Sequence, residues 1–153
     1  MRRMMVVEDN GIDAAWIRDG LKGAFNATVE VVKCEKDFVE RLPSLATMPP
    51  DLIVFDVMLR WANGSAELER DLEEGRIPPE IAEEGAFLKA GLRCVARLKV
   101  NPQTSEIPYV IFTGLNENNF EEEVVHLKGS IVTKSDDIEP LIAAVRRKLG
   151  ARS

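Results

Sequence analysis

Pro50-Asp-Leu-Ile-Val-Phe-Asp56 sets four apolar residues, Leu52 to Phe55, directly before a carboxylate. A short unbroken apolar run between turn-forming residues suits a strand buried on both faces of a parallel sheet. Comparable runs are Met4 to Val7, Thr28 to Val32 and Tyr109 to Phe112, with a weaker one from Ser130 to Thr133. Between them the apolar residues take helical spacing. One stripe is Ala14, Ile17, Leu21 and Phe25; a second is Phe38, Leu42 and Leu45, shortened or kinked by Pro43. A third is Leu88, Leu92, Val95 and Leu98, with Pro79 placed to open an extended version of it. A fourth is Phe120, Val124 and Leu127. The last is Ile138, Leu141, Val145 and Leu149, with Asp136 and Glu139 at capping-box spacing and Arg146, Arg147 and Lys148 compensating the dipole of its final turn. Strand and helix alternate five times. That order predicts the α/β class: a doubly wound, five-stranded parallel sheet, (βα)5, in one domain over residues 1–150.

The composition is that of an ordinary globular chain: 153 residues, 45% hydrophobic and 30% charged. No apolar run approaches the roughly 20 residues of a bilayer-spanning helix, and no secretory h-region follows Arg2 and Arg3, so a cytoplasmic protein without a membrane partner is expected. The formal net charge of −6 argues against nucleic acid, which calls for a basic footprint. Cys34 and Cys94 match no metal spacing and read as buried, reduced thiols. The negative charge is local. Ser65 to Gly85 holds eight acids and two bases, and the remaining residues are balanced at 18 of each. This segment, with Gly75 and Pro78-Pro79 as helix breakers, reads as an acidic insertion at about 65–84. Two readings stand: a solvated, partly mobile addition, or a docking surface for a basic partner. Trp61 reads either as a contact to that insertion or as a partner anchor, and His126 as a surface or packing residue.

In open α/β sheets function gathers beyond the carboxyl ends of the strands. Those ends carry Glu8-Asp9, Asp56, Thr113-Gly114 and Lys134. Three clustered carboxylates repel one another, and a hard divalent cation relieves this; Mg2+ is the usual choice where phosphate is also bound. Lys134 and Thr113 offer charge and a hydrogen bond to phosphoryl oxygens. One carboxylate is left to act as nucleophile toward phosphorus.

Five blocks carry a resemblance: Met5-Val-Val-Glu-Asp-Asn10, Pro50-Asp-Leu-Ile-Val-Phe-Asp56, Asn63-Gly64, Ile107-Pro-Tyr-Val-Ile-Phe-Thr-Gly114 and Ile131-Val-Thr-Lys134. In this order the sequence resembles the receiver domains of two-component response regulators, with their flavodoxin-like, CheY-like fold. The resemblance implies that Asp56 is the phospho-acceptor. It implies that Glu8, Asp9, Asp56 and the main-chain carbonyl of Met58 hold Mg2+, that Thr113 is the switch hydroxyl, and that Lys134 contacts the phosphoryl group. The donor would be a phosphohistidine on a sensor histidine kinase or histidine phosphotransfer protein. Output would be a change in contact with a downstream protein, since no separate output domain is expected, and the chain would not be an enzyme in its own right. Four departures stand out. Arg60 and Ser135 replace prolines usual in the family, and Ile131 replaces the aromatic that swings with the switch hydroxyl. Finally, the insertion leaves both Gly64 and Gly85 as matches for the glycine opening the helix after the acceptor loop. Met58 and Leu115, apolar where the family places groups that orient water, predict slow loss of phosphate. Two rivals remain. One is a docking module that is never phosphorylated; the other is an aspartate-nucleophile phosphohydrolase, disfavoured because Met58 stands where such enzymes carry a second acid.

Overall fold

A computed structural model describes residues 1–81, 86–114 and 130–150. Strand β1 (Arg2–Val7) leads to helix α1 (Gly11–Phe25), then β2 (Ala27–Val32), α2 (Glu35–Thr47) and β3 (Leu52–Phe55). There follow α3 (Ser65–Glu73), two 3-10 turns (Pro79–Ile81 and Ala86–Lys89), α4 (Ala90–Val100), β4 (Tyr109–Thr113), β5 (Ile131–Thr133) and α5 (Glu139–Gly150). The five strands form one sheet in the order β2-β1-β3-β4-β5. Every pairing is parallel; Met4 lies opposite Leu52, Ile53 opposite Tyr109, and Ile111 opposite Ile131. This is the doubly wound α/β sheet expected from the alternation of runs and stripes.

Period-two alternation sorts the side chains into two layers. Met5, Val7, Ile53, Phe55 and Ile111 face α2 and α4, where they meet Phe38, Leu45, Val95 and Leu98. Met4, Val6, Leu52, Val54, Val110 and Phe112 face α1 and α5, where they meet Ile17, Leu21, Leu141 and Val145. Each fully buried Leu, Ile or Phe contributes about 1.5–3 kcal/mol of transfer free energy. The chain reverses its progress across the sheet after β2, and right-handed crossovers then place α1 and α5 on one face and α2 and α4 on the other.

Local signals fix the helix ends. Asn10 caps α1, its Oδ1 accepting from the N–H groups of Ile12 and Asp13 at 3.0 Å each. Asn26 ends α1 in the left-handed conformation, at φ 48°. Helix α2 runs through Pro43 and on to Thr47, so the proline neither ends nor shortens it. Helix α5 is capped by Asp137 rather than Asp136: Asp137 Oδ1 accepts the Glu139 N–H at 2.9 Å. Cys34 and Cys94 are buried and unbridged, and burial pushes both thiols above their usual range. The stripe of Phe120, Val124 and Leu127, together with His126, lies outside the described residues.

Residues between Leu59 and Ala90 depart most from expectation. Pro79 does not open a long helix; it begins a 3-10 turn, and the helix proper starts at Ala90. Leu88 accordingly leaves the apolar stripe and is 41% exposed. The acidic segment is not simply solvated. Its first part forms α3, and Asp71 on that helix is completely buried. Lys36 Nζ, at the start of α2, donates to Asp71 Oδ2 and Glu67 Oε1 at 2.8 Å each. Trp61 Nε1 donates to Asp71 Oδ2 at 3.2 Å, so Trp61 is an insertion contact, and Arg76 Nη2 lies 3.1 Å from Asp71 Oδ1. The Lys36 hydrogen bond lowers the Asp71 carboxyl below its ordinary range against the opposing effect of burial.

A folded-state value below the unfolded one means that the Asp71 latch is fully formed above the ordinary carboxylate range and weakens as the pH falls below it. Asp71→Ala is therefore expected to free α3 at neutral pH. Limited trypsin digestion at Arg70 and Arg76 should quicken by about tenfold. Unchanged cleavage would show that the latch does not hold the segment.

Candidate functional site

The site is built where β1, β3, β4 and β5 end. The Asp56 N–H donates to the Val7 carbonyl at 2.9 Å, which carries the β1–β3 ladder one step past the strand and fixes Asp56 beside Glu8. Asp56 Oδ1 accepts the Val57 N–H at 2.7 Å, leaving Oδ2 toward the cleft. The Glu8 N–H donates to Val32 O at 2.9 Å, and Glu8 is 1% exposed. Asp9 is partly exposed on the rim. One oxygen each from Glu8, Asp9 and Asp56 lies within 4.8 Å of the others.

Lys134 enters from the end of β5. Its N–H donates to the Thr113 carbonyl at 2.8 Å, tying the two strand ends together. Its Nζ donates to Glu8 Oε1, to Asp13 Oδ2 at 3.0 Å and to Asp56 Oδ2 at 3.2 Å. Thr113 is completely buried at the end of β4. A Cβ built on Gly114 would meet nothing within 4 Å among the described residues. Met58 is half-buried in the loop leaving Asp56. Ile131 packs against the core layer beneath α2 and α4, and no cis peptide bond occurs among the described residues, Ser135 included.

The electrostatics follow from this crowding. Burial, and then the charge of Asp56, push the Glu8 carboxyl up to about 7, although the hydrogen bond from Lys134 opposes them. Burial alone would lower the Lys134 ammonium. The Glu8 hydrogen bond and the charges of Asp56 and Glu8 outweigh it, with help from Asp13, and raise Lys134 above its usual value. One ammonium set against three carboxylates and the nearby Asp9 leaves the pocket short of positive charge. Three converging oxygens in such a pocket suit a hard divalent cation.

Glu8, Asp9, Asp56 and Lys134 are thus brought together as the sequence places them, with Thr113 on the adjoining strand end. Asp13 was not among the expected residues. The Asn10 cap puts it in the first turn of α1, one helical turn beyond Asp9, and that spacing was the available signal. Gly64 precedes α3 with nothing near its Cβ position, and Gly85 lies outside the described residues. The close approach belongs to Gly91. A Cβ there would lie 2.0 Å from the Asp56 carbonyl oxygen and 2.8 Å from Val57 Cα. The Gly91 N–H also donates to Val57 O at 2.8 Å. The helix that packs on the acceptor loop is therefore α4.

Comparison with solved structures shows the fold. The bacteriophytochrome response regulator AtBRR is 19% identical, with 98% of this chain and 93% of that one covered, at a TM-score of 0.64. A response regulator from Desulfuromonas acetoxidans is 17% identical over the full length of both chains, at 0.64. The Mn2+-bound form of response regulator Rcp1 is 20% identical, covering 96% and 91%, at 0.59. The chain has the flavodoxin-like fold of response regulator receiver domains. No family model and no curated protein matches the sequence. Among the described residues no helix is long and apolar enough to cross a membrane.

Proposed function

We propose that the chain is a phosphorelay response regulator that accepts a phosphoryl group on Asp56. The observation that carries this is the convergence of Glu8, Asp9 and Asp56 oxygens within 4.8 Å, with Lys134 bonded to Glu8 and Asp56. Receiver neighbours of similar architecture, one of them holding Mn2+, support it. Glu8, Asp9, Asp56 and the Met58 carbonyl are the groups that would hold Mg2+. When bound, that ion neutralises the pocket and draws charge from the transferring phosphoryl oxygens.

The remaining work falls to the chain. Asp56 Oδ2 attacks phosphorus. The bond from phosphorus to the donor imidazole nitrogen breaks, and that nitrogen keeps the electron pair. Nothing is oxidised or reduced. Lys134 moves its hydrogen bond from Asp56 toward a phosphoryl oxygen, and Thr113 turns its hydroxyl toward another. That movement, spread into the loop after Gly114, shifts a pre-existing equilibrium of the surface that a protein partner reads. The phosphohistidine donor is a sensor kinase or phosphotransfer protein, and the output is protein–protein contact rather than catalysis.

The test is incubation with acetyl phosphate and Mg2+. Intact mass should rise by one phosphoryl group, and chelation of the metal should prevent the gain. A chain that stays unmodified would favour the docking module that works without phosphate. Met58, two residues after Asp56, is apolar and cannot orient water as a polar group would, so the acyl phosphate should be long-lived. Met58→Asn is expected to shorten its lifetime by about tenfold or more by helping to orient water. An unchanged lifetime would remove Met58 from the hydrolytic step.

A further inference from the structure

Arg60 stands four residues after Asp56 and makes three contacts with Asp9. Its N–H donates to Asp9 Oδ2 at 3.2 Å, its Nη2 donates to the Asp9 carbonyl at 3.3 Å, and its Nε lies 3.4 Å from Oδ2. Asp9 is the outermost of the three clustered carboxylates, and the Arg60 side chain is 62% exposed. The guanidinium therefore sits on the solvent side of the one acid that an incoming ion meets first.

We propose that Arg60 is a displaceable counter-cation of the carboxylate cluster, holding Asp9 until a divalent ion takes its place and thereby lowering the affinity of the cluster for that ion. This rests on the divalent-cation reading of Glu8, Asp9 and Asp56. Two positive centres cannot share the Asp9 carboxylate without repulsion, so binding of the ion requires the guanidinium to withdraw. Withdrawal is easy, because an exposed ion pair of this kind is weak. It also leaves the loop in place. The Arg60 carbonyl accepts the Glu35 N–H, and the Trp61 carbonyl accepts the Lys36 N–H, both at 2.9 Å. The backbone is thus pinned to the start of α2 while the side chain alone moves.

A destination is at hand. Arg60 also lines a cavity of about 430 Å³ shared with Trp61, Leu68, Phe87 and Arg93. The indole of Trp61, fixed to Asp71, lies in the same cavity and is placed to report the movement. Arg60 thereby connects the ion site to the inserted stretch, and the ion would be felt at Trp61 before any phosphoryl group arrives.

The test is Mg2+ binding by calorimetry, with tryptophan fluorescence alongside, for wild type, Arg60→Ala and Arg60→Gln. Both variants are expected to bind Mg2+ about fivefold more tightly than wild type, with the difference shrinking as salt rises. Equal or weaker binding by both variants would overturn the proposal and leave the phospho-acceptor reading standing. Tight binding by Arg60→Ala with wild-type binding by Arg60→Gln would also overturn it, because the contact rather than the charge would be responsible. No Mg2+ binding by any of the three proteins would overturn both readings.

Discussion

Asp56→Asn is expected to leave a folded protein that gains no mass from acetyl phosphate and Mg2+, whereas wild type is expected to gain one phosphoryl group. The loss is expected to be complete, because an amide oxygen is not a nucleophile of comparable strength and, among the described residues, no other acid is placed to substitute. Glu8 is held by Lys134 and by the Asn10 N–H at 3.3 Å. Asp9 stands on the rim beneath Arg60. Asp13 belongs to α1 and reaches only Lys134 in this cluster. The substitution also removes one negative charge from a pocket with a shortage of positive charge, so folding should not suffer. Acid-labile modification persisting in the variant would move the acceptor elsewhere and undo the assignment.

Gly91→Ala carries the largest structural effect. The added methyl would meet backbone, not a pliable side chain: the Asp56 carbonyl oxygen at 2.0 Å and Val57 Cα at 2.8 Å. Either α4 backs away, which breaks the bond from the Gly91 N–H to Val57 O and opens the layer around Ala90, Cys94 and Leu98, or the acceptor loop shifts. Overpacking of this severity costs about 3 kcal/mol. Urea denaturation should show it as a lower midpoint. Any folded fraction should phosphorylate more slowly, since Asp56 is displaced from Lys134. A Gly64→Ala control has open space around its Cβ position and should be nearly silent.

Much of this molecule can be read from its residues in sequence. The strands are legible because a doubly buried parallel strand has to be apolar almost throughout, as Leu52 to Phe55 are. Glu8, Asp9, Asp56 and Lys134 are legible because parallel strands deliver their ends to one edge. The failures have a common cause in long-range partners. Asp71 looks like one solvated acid among eight, and its partners Lys36, on another helix, and Trp61, ten residues back, are what make it a buried anchor. Gly91 is masked by three glycines nearer to Asp56, Gly64, Gly75 and Gly85, and its role depends on which face α4 turns to the loop. Asp13 is visible as an acid in a first turn, but the ammonium it reaches lies 121 residues away. Asp136 and Asp137 compete for one cap, and it is Asp137, its N–H held by the Ser135 hydroxyl, whose Oδ1 accepts the Glu139 N–H.

The ammonium of Lys134 arrives on β5, 126 residues after Glu8. A chain that has formed only its first three strands already holds the acidic groups, yet lacks the cation that tempers them. Non-local parallel pairing is slow to form, so the reactive arrangement is expected to be completed late in folding. A half-made or partly unravelled molecule is therefore chemically mute. On the proposed phospho-acceptor reading, it would neither divert phosphate from its donor nor send a false message, and competence to signal would become a certificate that the whole sheet has closed.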